Sequence, residues 1–179
     1  MLKIIRYPHP ILRRKAEPVR EIDESTLNLA REMAETMYAA PGIGLAAPQV
    51  GFPLRLIVVD VSYTEGKPDL KILLNPEIVY KEGEIISEEG CLSIPGIKSL
   101  VPRASKVIVK GLDIKGNPIE IEALGLLAVC LQHEIDHLEG ILFIDYLSPL
   151  KRSLIERKLR RKSRKNRCAS FFSVVHLSH

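Results

Sequence analysis

The spacing of apolar residues changes several times along this 179-residue chain, and each change predicts an element. In "DESTLNLAREMAETMYAA" (23–40), capping residues lead into Leu27, Ala30, Ala34, Met37 and Tyr38 at helical spacing, which predicts an amphipathic helix. "PGIG" stops it, because proline and glycine punctuate regular structure. "LRLIVVDV" (54–61) is short and rich in β-branched residues, as a buried strand is. "KILLNPEIVYKEGEIISEEG" (71–90) reads as further strands separated at Asn75-Pro76 and at Gly83. "KVIVKGLDIKGNPIEIEA" (106–123) alternates on both sides of Lys115-Gly116-Asn117-Pro118 and predicts a hairpin. From about Ala123 to Glu139 the period becomes helical. A second long helix is expected to begin near Pro149. The closing "CASFFSVVHLSH" (168–179) is apolar and β-prone, and its pattern assigns no element. Strands in the first two-thirds with helices at either end predict an α+β fold.

The late helix carries chemistry. "QHEIDHLEGILF" (132–143) sets His133 and His137 four residues apart, on one helix face, with Glu134 beside them. Two imidazoles and an adjacent carboxylate suit a metal ion and a general base for its water. Two accidental histidines on a surface helix would be the bland explanation, and the intervening Glu and apolar preceding turn count against it. Two imidazoles are an incomplete ligand set. In one large group of zinc proteases the pattern closes with a third histidine, but here that position is Phe143. Cys130 stands one turn earlier, in "LLAVCLQH", where a free cysteine serves well as a small hydrophobe. Cys168 falls in the unassigned tail. Cys91, in "EEGCLSIPG", has Gly90 beside it, which permits close backbone approach. That favours a site, with a buried structural thiol as the competing explanation. "GIGLAAPQVG" (42–51) adds two close glycines and the Gln49 amide, without the ending of a phosphate loop.

Together these stretches resemble peptide deformylase. The family pattern G-x-G-x-A-A-x-Q, then E-G-C-L-S, then Q-H-E-x-D-H is matched by Gly42 to Gln49, Glu89 to Ser93 and Gln132 to His137, in order and unbroken. "NPEI", "LVPRA" and "LSPLKR" extend the resemblance over roughly residues 1–150. It implies antiparallel or mixed sheets packed around a central metal-binding helix, flanked by N-terminal and C-terminal helices. It also implies one catalytic domain over 1–150, followed by a basic helix and tail over 151–179. Cys91 becomes the third metal ligand beside His133 and His137.

The implied reaction removes the formyl group from the N-terminal formyl-methionine of nascent proteins. Glu134 would take the proton of a metal-activated water and return it to the leaving amine. The Gln49 amide and the Leu92 backbone N–H would steady the oxyanion. Ferrous iron is the implied native ion, with loss of activity in air expected from an oxidisable metal and thiolate. Zinc, nickel or cobalt would substitute. Leu126, Val129, Cys130 and His133 follow helical i, i+3, i+4, i+7 spacing, so an apolar stripe ends at the metal and could hold the methionine side chain. Each of those apolar residues is equally at home in a core. Ile43 would add a wall, and the backbone of Ile43, Gly44 and Gly90 resembles the edge that pairs with an extended peptide. Arg103 and Asp136 are candidates for supporting the ligands, Asp136 as acceptor of an imidazole N–H.

Charge adds one more feature. The net +4 conceals ten Lys/Arg and one Glu between Lys151 and Arg167, leaving 16 bases against 21 acids elsewhere. "RKLRRKSRKNR" is dense enough for phosphate contacts without sequence reading, and the resemblance implies the ribosome near the nascent-chain exit. No sequence-specific nucleic acid is expected. A solvated helix is the alternative, and a membrane surface fits poorly because little apolar face accompanies the charge. No apolar run is long enough to span a bilayer, and "MLKIIRYPHP" lacks a secretory h-region, so a cytoplasmic enzyme is expected. Three cysteines make a poor disulfide framework. The competing function is another H-E-x-x-H metallopeptidase or amide hydrolase cutting internal peptide bonds. A binding module with a structural metal would leave Glu134 unexplained, since such sites close with a fourth protein ligand.

Overall fold

The computed structural model describes residues 1–175, with side chains through Lys165. Helix α1 spans Glu24–Ala39, with the Asp23 carboxylate accepting from the Thr26 amide at 3.0 Å as its N-cap. It buries Leu29, Ala30, Met33 and Met37. Leu27, expected on that face, is 41% exposed. The stripe is centred on Leu29 and Met33 instead, because an i, i+4, i+8 row continues through Met37.

Strands β1 (Gly44–Ala46), β2 (Leu56–Val59), β3 (Lys71–Glu82), β4 (Ile85–Cys91), β5 (Ile94–Arg103), β6 (Lys106–Leu112) and β7 (Pro118–Leu124) follow. All strand ladders are antiparallel. They form a five-stranded sheet of order β1-β2-β3-β6-β7 and a separate β4-β5 hairpin. The expected break at Asn75-Pro76 does not occur, and β3 runs through it. The β3–β6 register shifts between Leu74 and Glu77, and Asn75 takes φ 50°. At such a bulge a proline without an N–H interrupts no ladder bond. The Asn75 amide meanwhile pairs with both backbone groups of Val19, at 2.8 and 3.0 Å.

The five-stranded sheet is covered on both faces, which explains the unbroken apolar run of β2. Leu56 and Val58 face α1 with Met33 and Met37. Ile57 and Val59 face helix α2 (Gly125–Leu138) with Ala128, Leu131, Ile135 and Leu138. Ten of the fourteen α2 residues are buried, so α2 is a core helix. Helix α3 spans Pro149–Val175. It therefore carries the helix through the β-prone stretch as far as Val175, since extending a helix costs less than nucleating a new element. Residues 176–179 of that stretch lie outside the described residues. Leu159 of α3 is 5% exposed and joins Leu12, Ile94, Val101 and Phe143 in a third apolar cluster beneath the β4-β5 hairpin.

Candidate active site

Three elements converge at the site. β1 is an edge strand of the large sheet, and β4 runs at the edge of the hairpin. The buried helix α2 passes beneath both. Between them lies a cleft of about 420 Å³ lined by Ile43, Gly44, Gln49, Gly90, Cys91 and Leu92 from the strands and loops. Leu126, Val129, Cys130, His133 and Glu134 line it from α2. Leu126 is 53% exposed at the rim, whereas Val129 and Cys130 are buried. Gly44 is required by space. A Cβ there would sit 2.8 Å from the Cys130 sulfur and 2.9 Å from Glu134 Cγ.

Cys91 ends β4, at the strand boundary, where it pairs with Ile94 across the two-residue turn Leu92-Ser93. Its Sγ lies 3.3 Å from His137 Nε2, which lies 3.3 Å from His133 Nε2. One ligand atom from each of the three falls within 4.8 Å of the others. Two imidazole nitrogens bound tetrahedrally at ordinary zinc distances would be separated by about 3.3 Å. The donor set therefore fits a single divalent ion, because three lone pairs aimed at one point need a cation between them. Burial pushes the His137 imidazole far below its usual range, aided by His133 and Arg103 nearby. At His133 burial acts in the same direction but is outweighed by Cys91, Glu89 and Glu134, which raise it; a bound cation would take the place of that proton.

Gln49 is fixed at both ends of its amide. Its Oε1 accepts from the Ala46 N–H at 2.9 Å, while its Nε2 donates to Ser93 Oγ at 3.1 Å and to Cys91 Sγ at 3.4 Å. Glu134 is 4% exposed, and its Oε2 is a buried oxygen without a partner among the described residues. Burial lifts its carboxyl to about 7, and Glu89 and Asp136 add to the rise while His133 and Arg103 oppose it. A bound cation would pull it back down.

The support of the imidazoles differs from expectation. Asp136 accepts nothing from either ring. Its Oδ2 takes Arg103 Nη1 at 2.6 Å and the Tyr146 hydroxyl at 2.7 Å, because it leaves α2 on the side away from the cleft. The acceptor for His133 Nδ1 is Glu89 Oε1, at 2.8 Å. Arg103 is 5% exposed and grips both oxygens of Glu89 at 2.8 Å. Burial raises the Glu89 carboxyl, but Arg103 and His133 outweigh it and hold it below its ordinary range, charged. Glu89 was missed as a functional residue although a signal existed. It sits two positions before Cys91 on a strand, so the two side chains share a face. His137 Nδ1 has no partner among the described residues.

The chain is similar to known proteins along most of its length. Residues 1–153 match the polypeptide deformylase family. The peptide deformylase of Thermodesulfovibrio yellowstonii is 57% identical over 162 residues, covering 90% of this chain and 98% of that one. A crystal structure of a peptide deformylase from Legionella pneumophila superposes with a TM-score of 0.86 at 51% identity, covering 93% of this chain and 97% of that one. The peptide deformylase from Thermus thermophilus gives 0.81 at 42%, covering 90% and 94%. These matches favour deformylation over internal peptide cleavage, and the chain belongs to the peptide deformylase family of metal-dependent enzymes that remove the N-formyl group from nascent proteins.

Proposed function

We propose that Cys91, His133 and His137 hold the catalytic ion and that Glu134, Gln49 and Leu92 perform the deformylation around it. The observation carrying this reading is the convergence of one sulfur and two ring nitrogens within 4.8 Å, beside a buried carboxylate oxygen that has no partner among the described residues. A bound divalent ion supplies Lewis acidity, acidifying water and polarising the formyl oxygen. Glu134 Oε2 accepts the water proton as the C–O bond to the formyl carbon forms. The Gln49 Nε2 amide and the Leu92 N–H donate to the oxygen that gains charge. Glu134 then delivers its proton to the amine nitrogen as the C–N bond breaks, leaving formate and a free N-terminus.

The methionine side chain of the substrate enters the apolar part of the cleft at Ile43, Leu126, Val129 and Cys130. Its backbone lies extended between the β1 edge at Ile43-Gly44 and Gly90 of β4. Recognition through backbone groups admits many sequences after the methionine. Ferrous iron is the native ion we infer from the family to which the chain belongs; one thiolate and two imidazoles accept most first-row divalent metals, so zinc, nickel and cobalt would bind too. The basic face of α3 serves as a contact to the ribosome near the nascent-chain exit, without sequence-specific reading of nucleic acid. Among the described residues no helix is long and apolar enough to cross a membrane, and we place the enzyme in the cytoplasm, where nascent chains emerge. Anaerobic purification with metal analysis, followed by assay of one formyl-methionyl peptide for both formate and internal cleavage, tests the reading. Formate release proportional to bound iron is expected. Internal cleavage, or a fully metallated enzyme that leaves the formyl group in place, would overturn it.

A further inference from the structure

The chain has two basic segments, one at each end. Residues 151–167 form one, and residues 1–20 form another, with six Lys/Arg against the single acid Glu17. The stretch between them, 21–150, holds ten bases and twenty acids. Folding brings the two basic ends together. A cavity of about 670 Å³ lies between residues 3–10 and α3, larger than the active-site cleft. Lys3, Arg6 and His9 line one wall, Lys162 lines the other, and no acid lines either. Tyr7 and the buried Leu159, with proline rings, make a firm apolar floor.

The cations of this cleft are available. Arg13 and Lys15 of the same segment pair with Asp145 and Glu139. Lys3, Arg6 and Lys162 are exposed and enter no ion pair among the described residues. Like charges facing each other across a cleft repel, and a polyanion between them removes that cost.

We propose that this cleft takes the phosphodiester backbone of RNA, so that the N-terminal segment and α3 form one two-walled site. The proposal rests on the reading of α3 as an RNA-facing helix and adds a second wall to it. Shape selects the partner class. A strand of linked phosphates can enter between two walls, whereas a flat bilayer surface meets only their rims. The acidic 21–150 stretch would repel the same polyanion, which gives the complex an orientation.

The test uses the full metal-loaded chain and a fluorescein-labelled single-stranded oligouridylate, with anisotropy measured across a sodium chloride series. One variant carries Lys3→Glu and Arg6→Glu, and a second carries Arg157→Glu and Lys158→Glu, on α3 outside the cavity. The cleft variant should bind on the order of tenfold more weakly at physiological salt, with a salt slope reduced by about 1.4 for two lost single-strand contacts. Formate release from a formyl-methionyl peptide should stay unchanged in both variants. Should charge reversal disturb the fold, Lys3→Gln with Arg6→Gln reads the same quantities. Loss of binding in the helix variant alone overturns the cleft and leaves the helix reading intact. No binding by the parent chain overturns both. Binding to phosphatidylserine vesicles without binding to RNA overturns the proposal in favour of a membrane surface.

Discussion

Helices α2 and α3 use polar residues in opposite ways. In α2 the functional polar side chains Gln132, His133, Glu134 and His137 are buried, and all but Glu134 face a particular hydrogen-bonding partner. Gln132 pairs its amide with both backbone groups of Ala104, His133 meets Glu89, and His137 meets Cys91. Among the described side chains of α3 the charged residues are mostly in solvent, and Leu159 is the residue that packs fully into the core. The difference separates function by position from function by density. A residue in α2 acts through one geometry, so a single substitution there removes a defined step. A cation in α3 acts as one of many, so a single substitution there removes a small share of a summed charge.

The largest effect is expected at the most positional residue. Glu134→Ala should lower kcat for formate release by about 10²–10⁴-fold, the usual contribution of a general acid-base group. Metal content should be unchanged, because the residue is not in the converging ligand set. Mass spectrometry of native holoprotein together with a formate assay checks both. An active Glu134→Ala enzyme would remove Glu134 from the mechanism and break the contrast at its strongest point.

Arg103→Met comes next and acts through Glu89. Removing one member of a buried ion pair leaves the other charge uncompensated, at a cost of about 3–5 kcal/mol. Glu89 would then take a proton and loosen its hold on His133 Nδ1, with metal affinity falling about 10–100-fold. Denaturant unfolding and competition with a chelator measure the two effects separately. Arg103→Lys should not rescue either, since an ammonium cannot grip two carboxylate oxygens and Asp136 at once. Adding Glu89→Leu to Arg103→Met should restore stability and leave metal affinity low. Recovery of both together would mean that Glu89 does not orient the ring.

The same contrast explains what could be read from the chain. The metal helix and the β6-β7 hairpin were legible because their signals are local, a four-residue spacing and an alternation around one turn. Sheet order was not legible, since nothing in β3 states that its neighbours are β2 and β6. Asn75-Pro76 misled because a proline that breaks a strand and one that bends it at a bulge look identical without the partner strand. Leu27 misled for a related reason, as three overlapping apolar rows run along α1 and only packing against β2 selects one. Asp136 was expected to orient an imidazole because it lies near His133 in sequence. The true neighbour, Glu89, is 44 residues away and reaches the ring through the fold. Spacing alone does not distinguish Cys91 from Cys130 as the third ligand, and only the family resemblance singles it out.

Leu159 is the exception within α3. It lies among the cations yet is buried against Leu12, Ile94 and Phe143. Leu159→Ala should destabilise the protein by about 2–4 kcal/mol, as other core truncations do. Thermal unfolding of the metal-loaded chain reads it. A change within error would mean that α3 merely rests on the body and makes no part of its core. For this reason deleting 151–179 would be a poor probe of charge, because it also strips Leu159 from the apolar cluster.

The smallest effect should come from a neighbouring exposed cation. Arg160→Gln keeps the length and polarity of the side chain, removes one charge and leaves helix propensity nearly unaltered. Stability should change by less than about 0.5 kcal/mol, and formate release from a short peptide should not change. If α3 works by summed charge, each further neutralisation among Arg157, Lys158, Arg160 and Arg161 should weaken ribosome co-sedimentation by a similar factor. The loss should shrink as salt rises and screens the contacts. A single neutralisation that abolishes co-sedimentation while its neighbours have no effect would point the other way. It would mean that one cation of α3 meets one fixed partner, and that α3, like α2, is read by position.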